Sequence, residues 1–86
     1  MSRRDKLLVR ILRGGSDASI GFDELCGLLR ALGFAERTHG SHHIFICSGI
    51  EELINLQRYG SHAKRYQVRQ VRAILHKYRI GDDDME

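Results

Sequence analysis

Gly40-Ser41-His42-His43-Ile44-Phe45-Ile46 is the stretch from which the fold of this 86-residue chain can be read. Glycine admits a tight turn or a close approach of backbone to a ligand. The Ile-Phe-Ile run has the β-branched and aromatic character of a strand. The segment therefore predicts a turn that opens into a strand over residues 43–47. Two histidines stand at the mouth of that strand. An unperturbed histidine titrates near pH ~6.5, so a pair held there suits proton transfer at neutral pH. The same two residues also fit a polar turn without chemistry, and their spacing alone leaves both readings open.

The neighbours extend this strand into a sheet. Ser48-Gly49 is a tight-turn signal, and residues 51–57 form a further strand, antiparallel to the first. In it Ile54 and Leu56 share one face, while Leu53, Asn55 and Gln57 share the other. Residues 35–38 make a shorter, less apolar strand upstream. A three-stranded antiparallel sheet with one apolar face calls for helices on that side only.

Residues 22–32 supply one helix. Asp23 and Glu24 occupy its first turn, where the helix dipole favours acids, and Leu25, Leu28, Leu29 and Leu32 form its apolar stripe before Gly33. Residues 58–64 read as a polar loop, and residues 65–79 as a last helix with Val68, Val71, Leu75 and Tyr78 in period. At the other end, Leu7, Leu8, Ile11 and Leu12 give a first helix over residues 3–13, closed by Gly14-Gly15. The order is α-α-β-β-β-α, an α+β domain. Its last five elements match the layout of a double-stranded-RNA-binding domain.

Composition narrows the function class. Apolar residues make up 42% and charged residues 29% of the chain, the balance of a folded globular domain with one core. No run approaches the roughly 18–20 apolar residues of a membrane span, and Arg10 and Arg13 interrupt the first apolar run too early for a secretory leader. The expectation is a cytoplasmic protein that does not engage membranes. Cys26 and Cys47, each among apolar residues, read as small buried hydrophobes, not as a redox pair.

The formal charge is +3, but Asp82, Asp83, Asp84 and Glu86 crowd the C-terminus in a tail over residues 81–86 that is expected to be disordered. Residues 1–80 alone hold fourteen Lys and Arg against seven Asp and Glu, a net +7. That excess favours a polyanionic partner, nucleic acid above all. On the last helix Arg65, Arg69, Arg72 and His76 form a stripe, and no acid occurs between residues 58 and 80. Structural surfaces usually intersperse both signs, so this stripe, together with Lys64, is expected to contact phosphates. Gly-Ser-His occurs twice, at residues 40–42 and 60–62, a coincidence that loop composition explains.

Taken in order, Phe22-Asp23-Glu24-Leu25 through Leu32-Gly33-Phe34, the Gly40-Ser41-His42-His43-Ile44-Phe45 hairpin and Ile54-Asn55-Leu56-Gln57 form a pattern. Ala63-Lys64 and Tyr66-Gln67-Val68-Arg69-Gln70-Val71-Arg72 complete it. In these segments the chain resembles the HicA toxins, the RNA-cleaving half of HicA–HicB toxin–antitoxin pairs. The resemblance covers roughly residues 20–79 and leaves residues 1–19 as an N-terminal addition. It implies an endoribonuclease that cuts single-stranded messenger RNA, blocks translation and is neutralised by a HicB-like antitoxin. The family's catalytic histidine follows its Gly-Ser pair, which falls here on His42, with His43 as the alternative. Gly40 matches the glycine of the same motif. The chain departs from the family in lacking a proline near the start of the last helix. It also carries Arg58-Tyr59-Gly60-Ser61-His62 where some members have Pro-x-His.

The chemistry this implies needs neither metal nor small-molecule cofactor, because RNA carries its own nucleophile in the 2′-hydroxyl. A neutral histidine removes that proton, a contribution of ~10²–10⁴-fold. Cations and backbone N–H groups stabilise the charge on phosphorus; Gly40 and Ser41 are candidates for the latter, and Lys64, Arg65, Arg69 and Arg72 for the former. The five histidines, without an accompanying carboxylate or His-x₃-His spacing, do not form a metal site. His62 is a candidate general acid for the leaving oxygen. Strand alternation puts His42 on the side of Ile44 and Ile46, which read as core, and His43 on the side of Phe45 and Cys47. An RNA-binding module without chemistry, and a subunit whose basic face docks an acidic protein, are the other classes that fit.

Overall fold

A computed structural model describes residues 2–81. Its elements are α1 (Arg3–Arg13), a single 3₁₀ turn (Asp17–Ser19), α2 (Phe22–Ala31), β1 (Ala35–His39), β2 (His42–Ile46), β3 (Ile54–Tyr59), β4 (His62–Ala63) and α3 (Arg65–Lys77). From residue 82 onward, the acidic tail expected over residues 81–86 lies outside the described residues. The strands form one antiparallel sheet in the order β1-β2-β3-β4. The α+β, double-stranded-RNA-binding-like layout is present, with a fourth strand where three were expected. Among the described residues no helix is long and apolar enough to cross a membrane.

Local chemistry explains the element ends. Ser2 opens α1 with a capping box: its hydroxyl accepts the Asp5 N–H (3.1 Å) and the Asp5 carboxylate accepts the Ser2 N–H (3.3 Å). In α2 and α3 the last turn closes through bonds from Phe34 N–H to the Leu29 carbonyl (3.0 Å) and from Ile80 N–H to the Leu75 carbonyl (2.8 Å).

The additional strand comes from the segment expected to be a polar loop. β3 continues to Tyr59, reverses over Gly60-Ser61 and returns as β4. Gly40-Ser41 reverses β1 into β2 in the same way. Both glycines have φ 62°, and neither serine has positive φ. A positive φ at the first loop position alone is the sign pattern of a type II′ turn, which fits the twist of a two-residue hairpin and favours glycine there. The repeated Gly-Ser-His is therefore one hairpin device used twice, not a coincidence. In a meander of four strands the first and third reversals fall at the same end of the sheet.

Ser48-Gly49 does turn the chain, with Ile50 N–H bonded to the Cys47 carbonyl (3.1 Å), but no tight hairpin results. The acids that follow are claimed by the end of α3. Lys77 Nζ and the Tyr78 hydroxyl donate to the Glu52 carboxylate (2.7 and 2.5 Å), and the Tyr78 oxygen accepts the Glu51 N–H (3.2 Å). β3 consequently starts at Ile54 and not at residue 51.

Leu25 and Leu29 of α2, Val68, Val71 and Leu75 of α3, and Phe45, Ile54 and Leu56 of the sheet are all fully buried in one core. Phe45 sets the parity of β2. His43 and Phe45 face the helices, whereas Ile46 is 50% exposed on the opposite face. The expectation that Ile44 and Ile46 mark the core side is thus reversed. Cys26 is buried and Cys47 half-buried, both as free thiols.

The basic stripe of α3 has a second use that sequence did not reveal. Arg72 donates to both carboxylate oxygens of Asp17 (2.8 and 2.9 Å) and to the Ile11 carbonyl (3.2 Å). His76 Nε2 donates to the Leu12 carbonyl (3.2 Å). The Gly14 N–H already reaches the Ile11 carbonyl (3.2 Å), Arg72 adds a second donor to it, and the dipole of α1 favours cations at this end. Half of the stripe therefore docks α1. The acids that balance the basic segment come from other elements: Asp17 for Arg72, Asp23 for Arg58, Glu52 for Lys77.

Two outcomes follow for stability. Arg72→Met removes a part-buried bidentate pair and a helix cap at once, and urea unfolding should show a loss of about 1–3 kcal/mol. The Lys77 and Tyr78 donors hold the Glu52 carboxyl down to about 2, from an ordinary 4.5. A depressed carboxyl stabilises the fold above its unfolded value and loses that contribution as pH falls. The stability difference between wild type and Glu52→Gln should be constant above pH 4.5 and close between there and about pH 2, measured as urea midpoints.

Candidate active site

Strand register determines which side chains share the open face of the sheet. His39 pairs with His42, His42 with Gln57 and Tyr59 with His62. Paired residues point to one side, and so do residues two apart along a strand. With Phe45, Ile54 and Leu56 facing the core, His39, His42, Asn55, Gln57, Tyr59 and His62 stand on the outer face, most of them near the two Gly-Ser reversals.

His42 Nδ1 lies 3.0 Å from Asn55 Oδ1. An amide oxygen only accepts, so the ring donates from Nδ1, and in its neutral form it leaves the lone pair on Nε2. Beside it a second set of amide contacts ties the hairpin to the start of α3. Gln57 Nε2 donates to Ser41 Oγ (3.2 Å), Lys64 Nζ donates to Gln57 Oε1 (3.3 Å), and the buried Gln67 accepts the Gln57 backbone N–H (3.1 Å). Ser41 and Lys64 are thereby held around Gln57, which pairs with His42 across the strands.

His43 has a different environment. Its Nδ1 is 2.8 Å from the Glu36 carboxylate, which Arg30 also contacts. Its ring meets Phe22 edge-on, with centroids 5.0 Å apart. Arg58 covers the same phenyl ring at 4.5 Å and pairs with Asp23 (2.7 Å). The His43 and Arg30 donors hold the Glu36 carboxyl below its usual range. Cys26, Glu36 and His43 bring three potential metal-ligating atoms within 4.8 Å. The histidine and carboxylate are already bonded to each other, and burial pushes the Cys26 thiol up to about 11, which keeps it protonated. The group works as a packed polar link between α2 and the sheet.

Of the cations expected to contact RNA, Lys64 and Arg65 lie at the end of α3 nearest the hairpins. Arg69 is exposed a turn further along and Arg72 is committed to Asp17. Reading the sequence missed Asn55 and Gln57 as partners of the site. Their signal was present in the alternation of Ile54-Asn55-Leu56-Gln57, which sets two amides on the face opposite the core. Two clefts flank the sheet and helices. The larger, of about 600 Å³, lies between α1 and α2, with Arg3, Arg4, Lys6 and Arg10 opposite Asp23 and Glu24. The smaller, of about 420 Å³, is lined by Tyr59, His62, Lys64, Arg65 and Tyr66, with Ala18 and Ala63. The smaller one adjoins the histidine face, and the chemistry points there despite the larger volume of the other.

No family model, curated protein or solved structure matches this chain.

The two neighbouring histidines should separate by stability alone. His43→Ala gives up a charge-assisted hydrogen bond and an aromatic edge contact, an expected loss of about 1–3 kcal/mol. His42→Ala, on the open face, should change stability by under about 1 kcal/mol. Thermal or urea unfolding of the two variants is the measurement.

Proposed function

We propose that this chain is a metal-independent endoribonuclease of the HicA kind, a cytoplasmic toxin that cuts single-stranded messenger RNA and is held inactive by a HicB-like antitoxin. The observation that carries this reading is the 3.0 Å contact between His42 Nδ1 and Asn55 Oδ1 on the open sheet face. It supports His42 as general base over His43, whose Nδ1 is bound to Glu36 on the helix side.

In the reaction, His42 Nε2 takes the proton of a ribose 2′-hydroxyl. The 2′-oxygen bonds to the adjacent phosphorus and the bond to the 5′-oxygen breaks. That oxygen leaves with a proton from solvent or from His62, which stands on the same face across β3. The products end in a 2′,3′-cyclic phosphate and a 5′-hydroxyl. Lys64 and the backbone N–H groups of Gly40 and Ser41 offset the charge that develops on the phosphoryl oxygens. Arg65 and Arg69 hold the flanking backbone, and Arg72 contributes through the fold. Asn55 is a positioning residue, since it sets the tautomer of the base. A HicB-like partner that occludes this face also covers the half-exposed Ile46.

Incubation of RNA with the purified chain in excess EDTA tests the proposal. The wild type is expected to cut, leaving cyclic phosphate ends. His42→Ala should slow cleavage ~10²–10⁴-fold with unchanged RNA affinity, Asn55→Ala by a smaller factor, and His43→Ala only as far as it unfolds the protein. Intact RNA bound equally by wild type and His42→Ala would reject the nuclease and leave a binding module without chemistry.

A further inference from the structure

Two large aromatic side chains near the proposed base have no part in the mechanism above. Tyr59 is 72% exposed and Tyr66 56% exposed. Scattered surface aromatics are ordinary, but these two line a single cleft, of about 420 Å³, together with Lys64 and Arg65. That volume falls within the roughly 300–1,000 Å³ of small-molecule sites. Two small residues, Ala18 and Ala63, also line it, and none of its lining residues is acidic. The larger cleft between α1 and α2, by contrast, sets its cations against the carboxylates of Asp23 and Glu24.

Its place on the sheet gives the cleft a meaning. Gln57 stands directly opposite His42, and Tyr59 follows two residues later on the same face of β3, about 7 Å further on. A nucleotide next to the one that meets His42 reaches this position. Lys64, bonded to Gln57, stands between the two locations.

We infer that this cleft is a nucleobase subsite, in which one unpaired base of an RNA strand stacks on the tyrosine walls while Lys64 and Arg65 hold its phosphate. The base must be unstacked from its neighbours to enter, so the subsite takes single strands and not duplex. Every base has a π-face, so the grip is tolerant of sequence. The inference rests on the RNA reading above, but it concerns binding, and binding is what its test measures.

The probe is a short 2′-O-methyl RNA, which has no 2′-hydroxyl to cleave, titrated with the full chain by fluorescence anisotropy. A set of oligomers carries a single abasic position moved along the strand. Stacking of one base is expected to contribute roughly 5- to 150-fold in affinity. Tyr59→Ala and Tyr66→Ala should weaken binding of the intact oligomer by a factor in that range, and Tyr59→Phe should bind like wild type. One abasic position should weaken the wild type as much and erase its advantage over Tyr59→Ala, since the two changes remove the same contact. Unchanged affinity in the Tyr59→Ala/Tyr66→Ala double variant, or losses that add in full at every abasic position, would overturn the inference. Both tyrosines are exposed, and unchanged melting curves confirm that the variants fold. Failure of the nuclease reading is seen separately, as ordinary RNA left uncut while the coupling between tyrosine and base persists.

Discussion

Burial of Phe45 determines the face on which every other residue of the sheet stands. Side chains alternate along a strand, so one residue's direction sets the rest, and a slip of one position would turn the whole set over. Phe45 lies fully buried against Ile54 and the helices. His43 follows it inward and finds Glu36 and Phe22, while His42 is sent outward to Asn55. Two adjacent histidines with the same intrinsic chemistry thus acquire unrelated roles. One closes a packed polar link between helix and sheet, and the other stands on the outer face bonded to Asn55.

That parity was the point on which reading the sequence went astray, for an identifiable reason. Ile44 and Ile46 are two of the three large apolar side chains of the strand, and the face they share was read as the core side. What decides is the set of partners across the strands, which a single strand does not contain. Glu36 opposite Phe45 and Leu56 opposite His43 make the inner face hospitable to a histidine with a carboxylate beside it. The helices, by contrast, were legible nearly to the residue. Their apolar stripes repeat at helical spacing, and acids or glycines mark their ends, all local signals. Gly40-Ser41 was legible as a turn, but Gly60-Ser61 only as part of a polar loop, and the β4 that follows it is two residues long. A strand that short leaves no periodicity to read, and its existence depends on pairing with β3.

The charges show the same boundary between local and distant information. Fourteen cations in a small domain are visible in the sequence, and so is the acid-free run from residue 58 to residue 80. The destination of each cation is not. Arg72 and His76 share a helix face with Arg65 and Arg69, yet they serve the C-terminal carbonyls of α1 and the Asp17 carboxylate. The N-terminal helix, an addition to the pattern that the rest of the chain resembles, is therefore part of the same core: Leu8 and Ile11 are buried, and its C-terminal end is bonded by α3. A basic stripe is an electrostatic statement only after the residues with partners have been removed from it. With Arg72 and His76 removed, Arg65 and Arg69 are left on α3, and Lys64, bonded to the neutral Gln57, joins them at its start.

The candidate site lies on the open face of the sheet, and chemistry there loses the advantages of excluding water. RNA cleavage through the 2′-hydroxyl asks less of a protein than most hydrolyses, because the nucleophile arrives on the substrate, next to the phosphorus it attacks. The protein must hold one base in one tautomer, place a few cations, and keep the strand still enough for the attack to align. On the proposed reading, Asn55 meets the first need and Lys64 the second. The third is the hardest on a flat surface, since phosphate contacts alone allow the strand to slide. A stacked base on Tyr59 or Tyr66 fixes the strand's position along the sheet without demanding a particular sequence. On the proposed reading, the two hairpins are placed side by side because one carries the base that starts the reaction and the other the aromatic wall that stops the strand from moving.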